Sequence, residues 1–490
     1  MTAKPEEFWR SHDHRFHCPG VPEAEDRVRI RARLGSELGR VMRPAQARSD
    51  TDRAWTVMLY KQELIRKEVA AKVLRALEGG GGEDYLKKAL DGDEDTASVV
   101  NLGRTLQEPM SRLQQRDKLL DVLDLTITCL GTLLDQAEAH ADSIMAGQTH
   151  LSHAQPTTYG AYLLAVHDAL ARSLEQIELA YRHTNQNSAG CGACSGTGWP
   201  VDRDLITELL GLDSLVESTY DGEPGQDHAL TILFALTNLG VTLSRTAMDF
   251  NIWGMEEVMM VNVDPSWRGV SSLMPQKAIP GSEFERVRLE VSDVIGEMVT
   301  GVVSNKGEPY SDMLPIYEGY RAALRAMCHI EKALGFFNGL LSNTKPDEER
   351  MLEYAREGFS ATPDLSIKLI RDEGYGARRA HRICATMVRI ARERGIKPQE
   401  VTGELLDEAA RIADETPPGL STEEIRDALD PVKFIERHNN LGDPHPSETL
   451  RMAGLRRQAL ADAEARQSFR KDRIETARTK LAAEVRAIVG

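Results

Sequence analysis

Two polar loops gather side chains that could do chemistry. The first reads Gly147-Gln148-Thr149-His150-Leu151-Ser152-His153-Ala154-Gln155-Pro156-Thr157-Thr158. It crowds hydroxyl, amide and imidazole groups into the joint between two long helical segments. Polar loops carried on rigid elements are where binding and catalysis concentrate. A plainer role weighs equally: Ser and Thr at a helix start satisfy its free N–H groups. The second loop runs Trp267-Arg268-Gly269-Val270-Ser271-Ser272-Leu273-Met274-Pro275-Gln276-Lys277-Ala278-Ile279-Pro280-Gly281. Glycines near both ends and two prolines fit a long loop closing over something, and two serines and a lysine supply much of its polarity. Taken on those residues alone, an ordinary surface loop is favoured.

The elements around these loops read as helix nearly throughout. Segment 54–78 carries Leu59, Ile65 and Val69 and is stopped by the glycines at 79–82, because glycine has the largest entropy cost in a helix. Segment 110–146 places Leu113, Leu120, Leu123, Ile127, Leu130 and Leu134 on one apolar stripe. Segment 229–253 is more apolar: Ile232, Leu236, Leu239 and Leu243 form one face, and Leu233, Ala235 and Val241 cover others. A helix so widely apolar is buried in a bundle or between subunits. Segments 282–304, 318–342, 347–357, 362–373, 377–395 and 451–488 also predict helix. No train of alternating strand patterns accompanies them, although short hairpins remain open. The expected fold is all-α with long bundle helices.

Composition narrows the function classes. The 490 residues hold 60 Lys+Arg against 76 Asp+Glu, a net charge of −16. An acidic chain repels nucleic acid and anionic membranes, yet leaves room for a local basic site for a small anion. No run approaches the roughly 18 consecutive apolar residues that span a bilayer, and the start MTAKPEEFWRSHDHRFH has no signal-like apolar stretch. The cysteines at 18, 129, 191, 194, 328 and 384 do not form a disulfide framework. A reduced, cytoplasmic protein is expected.

Taken together, the two loops resemble the fumarase/aspartase superfamily, and its argininosuccinate lyase branch most closely. THLSHAQPTT resembles that branch's THLQRAQPTT-type segment. SSLMPQKAIP resembles the superfamily signature SSxMPxKxNP. Asn187 to Arg203 resembles the branch's Gly-rich turn ending in a Pro-(Ile/Val)-Asp-Arg helix start, and the segment from Glu357 resembles the opening of its C-terminal domain. The resemblance covers roughly residues 50 to 450. It implies a three-domain fumarase/aspartase-type fold with a long central helical bundle. The expected boundaries are 1–105 for an N-terminal helical domain, 106–345 for the central bundle, 346–450 for a C-terminal helical domain and 451–490 for an exposed, peripheral helical extension. It also implies a homotetramer whose active sites are shared between subunits.

Members cleave a C–N or C–O bond of a succinyl compound by β-elimination and release fumarate. A base removes a proton next to a carboxylate, and the resulting aci-carboxylate needs fixed positive or N–H groups aimed at its charge. Residue by residue, the resemblance puts Ser271 on the catalytic base and Lys277 on the dianionic carboxylate. Thr149 and His150 fall on positions that hold substrate carboxylate and assist proton transfer. Ser272, Gln148, Arg104, Gln107 and Met274 fall among the substrate-binding positions. No metal or cofactor is expected, and the implied partner is a small-molecule substrate.

Departures from the pattern bear on the substrate. Val270 replaces the signature glycine, and Ile279 replaces the signature asparagine that hydrogen-bonds a carboxylate. The branch's GRSRND segment appears as Gly103-Arg104-Thr105-Leu106-Gln107-Glu108. The glutamine and lysine that hold the arginine end of argininosuccinate fall on Tyr317 and Tyr320. Polar substrate partners are removed while base, lysine, threonine and histidine are kept. The expected function is therefore β-elimination from another N-substituted aspartate. The alternatives are argininosuccinate lyase proper and a non-catalytic scaffold on the lyase fold. Outside the loops, Cys191-Gly-Ala-Cys194 has half a zinc spacing but no second half, so packing is favoured. The cluster His12, His14, His17 and Cys18 is read as a harmless terminal arm. His167 and His381 are read as structural.

Overall fold

The computed structural model describes residues 24–30, 45–105 and 109–490. Its centre is a bundle of five long helices: α1 (Met110–Ala139), α2 (Tyr159–Thr184), α3 (Asp227–Trp253), α4 (Ser282–Asn305) and α5 (Ile316–Ser342). Helix α1 packs on α2 and α5, α3 packs on α2, α4 and α5, and α4 packs on α5. The periodic residues explain the assembly. Leu123, Ile127, Leu130 and Leu134 of α1 are buried in one core with Ile232, Leu236, Leu239 and Leu243 of α3. By length and composition α3 is apolar enough to cross a membrane, but here that buried face is a wall of the bundle core. The expected all-α class holds: strands among the described residues pair only as two-stranded ribbons.

Two further cores flank the bundle. One gathers Trp55, Met58, Leu74 and Leu77 with Ile206 and Leu209. The other gathers Leu365, Leu369, Ile383, Met387, Leu406 and Ile425. The chain's last helix, α6 (Pro446–Val489), departs from the exposed, peripheral reading. Its Leu460 and Ala463 enter the bundle core, and its Leu481 and Ile488 enter the N-terminal one. These positions belong to a stripe that recurs every seven residues, but it includes alanines and Gln467 among many arginines, so its apolar signal is weak. The arginines themselves are used, as Arg456 grips Asp168 of α2 at 2.6 and 2.5 Å.

Two other spans differ from expectation. The helix expected over 54–78 is two helices, Ala45–Lys61 and Lys67–Ala76. Glu63 between them takes φ 57°, which an α-helix cannot continue through. The helix expected over 110–146 ends at Ala139, and residues 144–158 form a hairpin of β1 (Ile144–Thr149) and β2 (Ser152–Thr158).

The bundle has two ends, each tied by side-chain contacts. At one end Gly160 N donates to His140 O at 3.0 Å, and Tyr162 donates to Asp249 at 2.7 Å. Thus the end of α1, the start of α2 and the end of α3 meet beside the hairpin. At the other end Arg112 donates to His183 O at 2.8 Å and Gly225 O at 3.2 Å. That guanidinium ties the start of α1 to the end of α2 and the approach to α3. Helix α3 has 27 residues, so the two ends stand roughly 40 Å apart at 1.5 Å per residue.

Candidate active site

The first loop is the tip of the β1–β2 hairpin. Thr149 pairs with Ser152, leaving His150 and Leu151 as a two-residue turn. Their φ values are 55° and 57°, the left-handed pair of a type I′ turn, which usually takes Asn-Gly. Non-glycine residues held there are strained, and such strain clusters at functional sites. The ladder is bulged at Gly147, where a Cβ would come within 2.6 Å of Gln155 O. Helix capping falls to Thr158, which accepts from Ala161 N at 3.2 Å at the start of α2. Thr149 and His150 are thereby left exposed at the tip, with Gln148 half-buried behind them. His153 has a packing role: its ring lies 4.4 Å from that of Tyr354. Burial, opposed by Glu357, holds its imidazole below the ordinary value.

The signature loop is also a hairpin. Gly269 pairs with Ile279 and Val270 with Ala278, so residues 271–277 form a tip closed by a two-pair neck. Ser271 Oγ accepts from Met274 N at 3.1 Å and from Leu273 N at 3.4 Å. Lys277 N donates to Met274 O at 3.0 Å, folding the tip back on itself. Ser271 is half-buried, whereas Ser272, Met274 and Lys277 are exposed. The base of the loop is packed firmly. Trp267 fills the space that a Cβ on Gly339 would need, and a Cβ on Gly281 would collide with Asn251. Between the loop base and the end of α3 lies a cavity of about 680 Å³, lined in part by Met248, Asn251, Ile252, Lys277, Ile279 and Arg288.

Seven of the candidate residues therefore share one end of the bundle: Gln148, Thr149, His150, Ser271, Ser272, Met274 and Lys277. Among the described residues no hydrogen bond joins the two hairpin tips. Arg104 belongs to the opposite end, as do Tyr317 and Tyr320 at the start of α5. The Arg104 side chain is 2% exposed and paired with Asp52. It also donates to Val100 O at 2.7 Å and lies over the Trp55 ring. Gln107 and Leu106 lie outside the described residues, as does the His12, His14, His17 and Cys18 cluster. Tyr317 donates to Asp312 at 2.7 Å, and Tyr320 hydrogen-bonds Gln114. Burial drives both phenols well above their ordinary value, helped at Tyr317 by Asp312. Each remains a neutral donor at physiological pH.

Of the metal-like features, Cys191 is buried and its Sγ accepts from Arg203 at 3.1 Å, a packing role. A group that no sequence motif announced, Glu290, Asp293 and His329, meets between α4 and α5. Lys332 Nζ already supplies a cation 2.5 Å from Glu290.

The structure thus offers a bundle of long helices with an N–H-cradled serine and a lysine on one loop. Residues 85–296 match a family model described as Lyase. Argininosuccinate lyase of Methanothrix thermoacetophila is 30% identical over 456 residues, 89% of this chain and 92% of that protein. A solved EDDS lyase variant with bound fumarate superposes with TM-score 0.90 at 27% identity, covering 98% of both chains. EDDS lyase in complex with formate gives 0.89 at 28% identity, covering 96% of both. The chain belongs to the argininosuccinate lyase-like branch of the fumarase/aspartase superfamily and is a carbon–nitrogen lyase that releases fumarate.

Proposed function

We propose that the enzyme eliminates an amine from an N-substituted aspartate, with Ser271 as base and Lys277 holding the aci-carboxylate. The observation that carries this reading is the Ser271 hydroxyl receiving two backbone N–H groups while Lys277 closes the same loop. A serine is a weak base unless its oxyanion is stabilised. The N–H groups of Leu273 and Met274 stabilise it, and the Lys277 ammonium adds charge. Ser271 Oγ takes the proton from the methylene carbon next to the distal carboxylate. The electron pair moves into that carboxylate as the dianionic intermediate, and its collapse forms the C=C bond while the C–N bond breaks. The nitrogen leaves as an amine after gaining a proton, with His150 as donor and Thr149 binding carboxylate. Ser272, Gln148 and Met274 complete the wall around the substrate.

In this reading the site is shared between copies of a homotetramer. Arg104 and the tyrosines at 317 and 320 stand a helix length from Ser271 in one chain, so antiparallel packing of a second chain is what brings the two ends together. Exposed Phe234, Val241 and Met248 of α3 lie seven residues apart, a stripe suited to helix–helix packing. Ile279, apolar in the cavity wall beside Lys277, and the neutral Tyr317 and Tyr320 favour a leaving amine other than arginine. A buried charge left without partners costs several kcal/mol, of order 3–5. The test is release of fumarate, read by its absorbance, from argininosuccinate, EDDS and a panel of other N-substituted aspartates, run in both directions. Cleavage of at least one non-arginine compound above argininosuccinate is expected. Activity on none of them would leave the scaffold reading instead.

A further inference from the structure

One side chain from the start of the chain holds both roots of the signature loop. Residues 24–30 lie against the loop base, where Ala24 N donates to Ser266 O at 3.1 Å. Arg27 is 5% exposed. Its Nη1 donates to Arg268 O at 2.8 Å and to Ser266 O at 3.4 Å. Its Nε donates to Glu283 Oε1 at 2.8 Å, and its Nη2 stands 2.7 Å from the same oxygen. Arg268 immediately precedes the neck strand Gly269–Val270. Glu283 lies in the first turn of α4, just after the returning strand Ala278–Ile279. A single planar guanidinium therefore bridges the backbone entering the loop and the helix leaving it.

The neck needs such a clamp. It has two residue pairs, and a lone two-stranded ribbon is marginally stable in water. Glu283 is fully buried, so its pairing with Arg27 is little screened by solvent or salt. Only an arginine fork reaches a carboxylate and two carbonyls at once; a lysine ammonium is a point charge on a flexible stem. Arg286 Nε, 3.0 Å from Glu283 Oε2, leaves that carboxylate a cationic partner when Arg27 is replaced.

We infer that Arg27 is a positioning residue for the elimination: by clamping Arg268 O and Glu283 it sets the neck and hence the placement of Ser271 and Lys277. This rests on the Ser271–Lys277 reading above. Misplacement of reacting groups by about 1 Å costs on the order of 10²-fold in rate. The effect falls chiefly on turnover, because Ser271 and Lys277 act on charge that develops in the transition state, while the contacts of Gln148, Thr149 and His150 lie outside the loop.

The test compares full-length wild type, Arg27→Met, Arg27→Lys and Ser271→Ala by amide hydrogen exchange and by steady-state fumarate release from a substrate the wild type cleaves. In Arg27→Met, amides of 269–281 are expected to exchange about 10-fold faster or more, while α3 and the oligomeric state stay unchanged. Its kcat should fall about 10²-fold with KM within about 3-fold of wild type. Arg27→Lys should lie between, because it keeps the Glu283 pair and loses the fork. Wild-type loop protection and kcat in Arg27→Met would overturn the inference. Faster exchange throughout the bundle would overturn it too, since Arg27 would then hold the fold and not the loop. Should Arg27→Met fail to assemble, Arg27→Lys is read by the same two measurements and must show the loop-confined loosening. Ser271→Ala should lose activity with the loop still protected. If it stays active, the base assignment fails, whereas loop exchange in the Arg27 variants still decides the clamp.

Discussion

Ser271 and Lys277 stand at the mouth of one loop neck, each one residue beyond the Val270–Ala278 pair. The residue read as base and the residue read as anion holder are thus six positions apart in sequence and rooted at the same neck. The segment between them turns Leu273 N and Met274 N onto the serine oxygen. The loop thus builds its own small cradle of N–H groups around that hydroxyl.

Ser271→Ala should lower kcat by about 10²–10⁴-fold, the usual cost of removing a general base, with fold and assembly intact. Lys277→Met should be comparably severe, because the dianionic intermediate loses its fixed cation. Ser272→Ala should be far milder, since the exposed Ser272 hydroxyl is expected only to bind. Steady-state fumarate release ranks the three. Full activity in Ser271→Ala would move the base elsewhere, with His150 the first residue to test.

Argininosuccinate should be a poor substrate, with kcat/KM below about 10⁴ M⁻¹s⁻¹. Tyr317 and Tyr320 fall on the positions of polar partners of its arginine end, and Ile279 on that of a carboxylate partner. An absorbance assay of fumarate release across argininosuccinate concentrations below and above KM decides this. Efficient turnover would restore argininosuccinate lyase proper.

Assembly should depend on the exposed apolar stripe of α3. Phe234 is 54% exposed in the single chain. Phe234→Glu together with Met248→Glu should split the tetramer in light scattering and abolish activity, although every candidate residue remains in place. A fully active monomer would mean that one chain completes the site alone.

Leu151 takes φ 57° at the second position of the hairpin turn. Leu151→Gly should stabilise the chain by about 0.5–1 kcal/mol, the relief of left-handed strain less the entropy cost of glycine. Thermal unfolding reads the change. A lower melting temperature would mean that another copy covers the Leu151 side chain, which is 78% exposed here.

The anchoring of α6 should be pH-dependent. Burial acts to raise the Asp168 carboxyl, but hydrogen bonds from His167 and Arg456 outweigh it and hold it well below the usual carboxylate range. A folded pKa below the unfolded one contributes stability that is complete above about pH 4 and is lost as pH falls through the folded value. Asp168→Asn should therefore cost about 1 kcal/mol at neutral pH, a modest figure because Asp168 is about a third exposed and so partly screened. Urea melts of both proteins should converge on acidification. A difference independent of pH would assign the effect to packing.

Much of the fold was legible because helical burial is periodic and local. The spans of α3, α4 and α5 match the expected segments to within two residues at either end, since each stripe and each breaker lies inside one stretch of chain. The second loop stood out only through its resemblance to the superfamily signature; its serine, lysine and the two N–H groups on the serine all belong to that one contiguous motif. The first hairpin was harder. Its turn residues, His150 and Leu151, lack the Asn-Gly chemistry that marks such turns, and its bulge at Gly147 breaks the alternation of its strands.

Contacts between residues far apart in the chain had no local signal. Arg27 meets Glu283 across 256 positions, and neither residue differs in type from dozens of solvated neighbours. Arg104 matched a substrate-binding position, yet its guanidinium is turned onto the buried Asp52, a partner no motif named. The buried positions of α6 recur every seven residues from Ala453 to Ile488, but Gln467 and several alanines among them weaken the apolar signal, and the two cores they enter are built from earlier chain. Periodicity and motif spacing report what a segment does with its own backbone; the pairing of distant charges and the docking of helices depend on three-dimensional packing, in which positions hundreds of residues apart become neighbours.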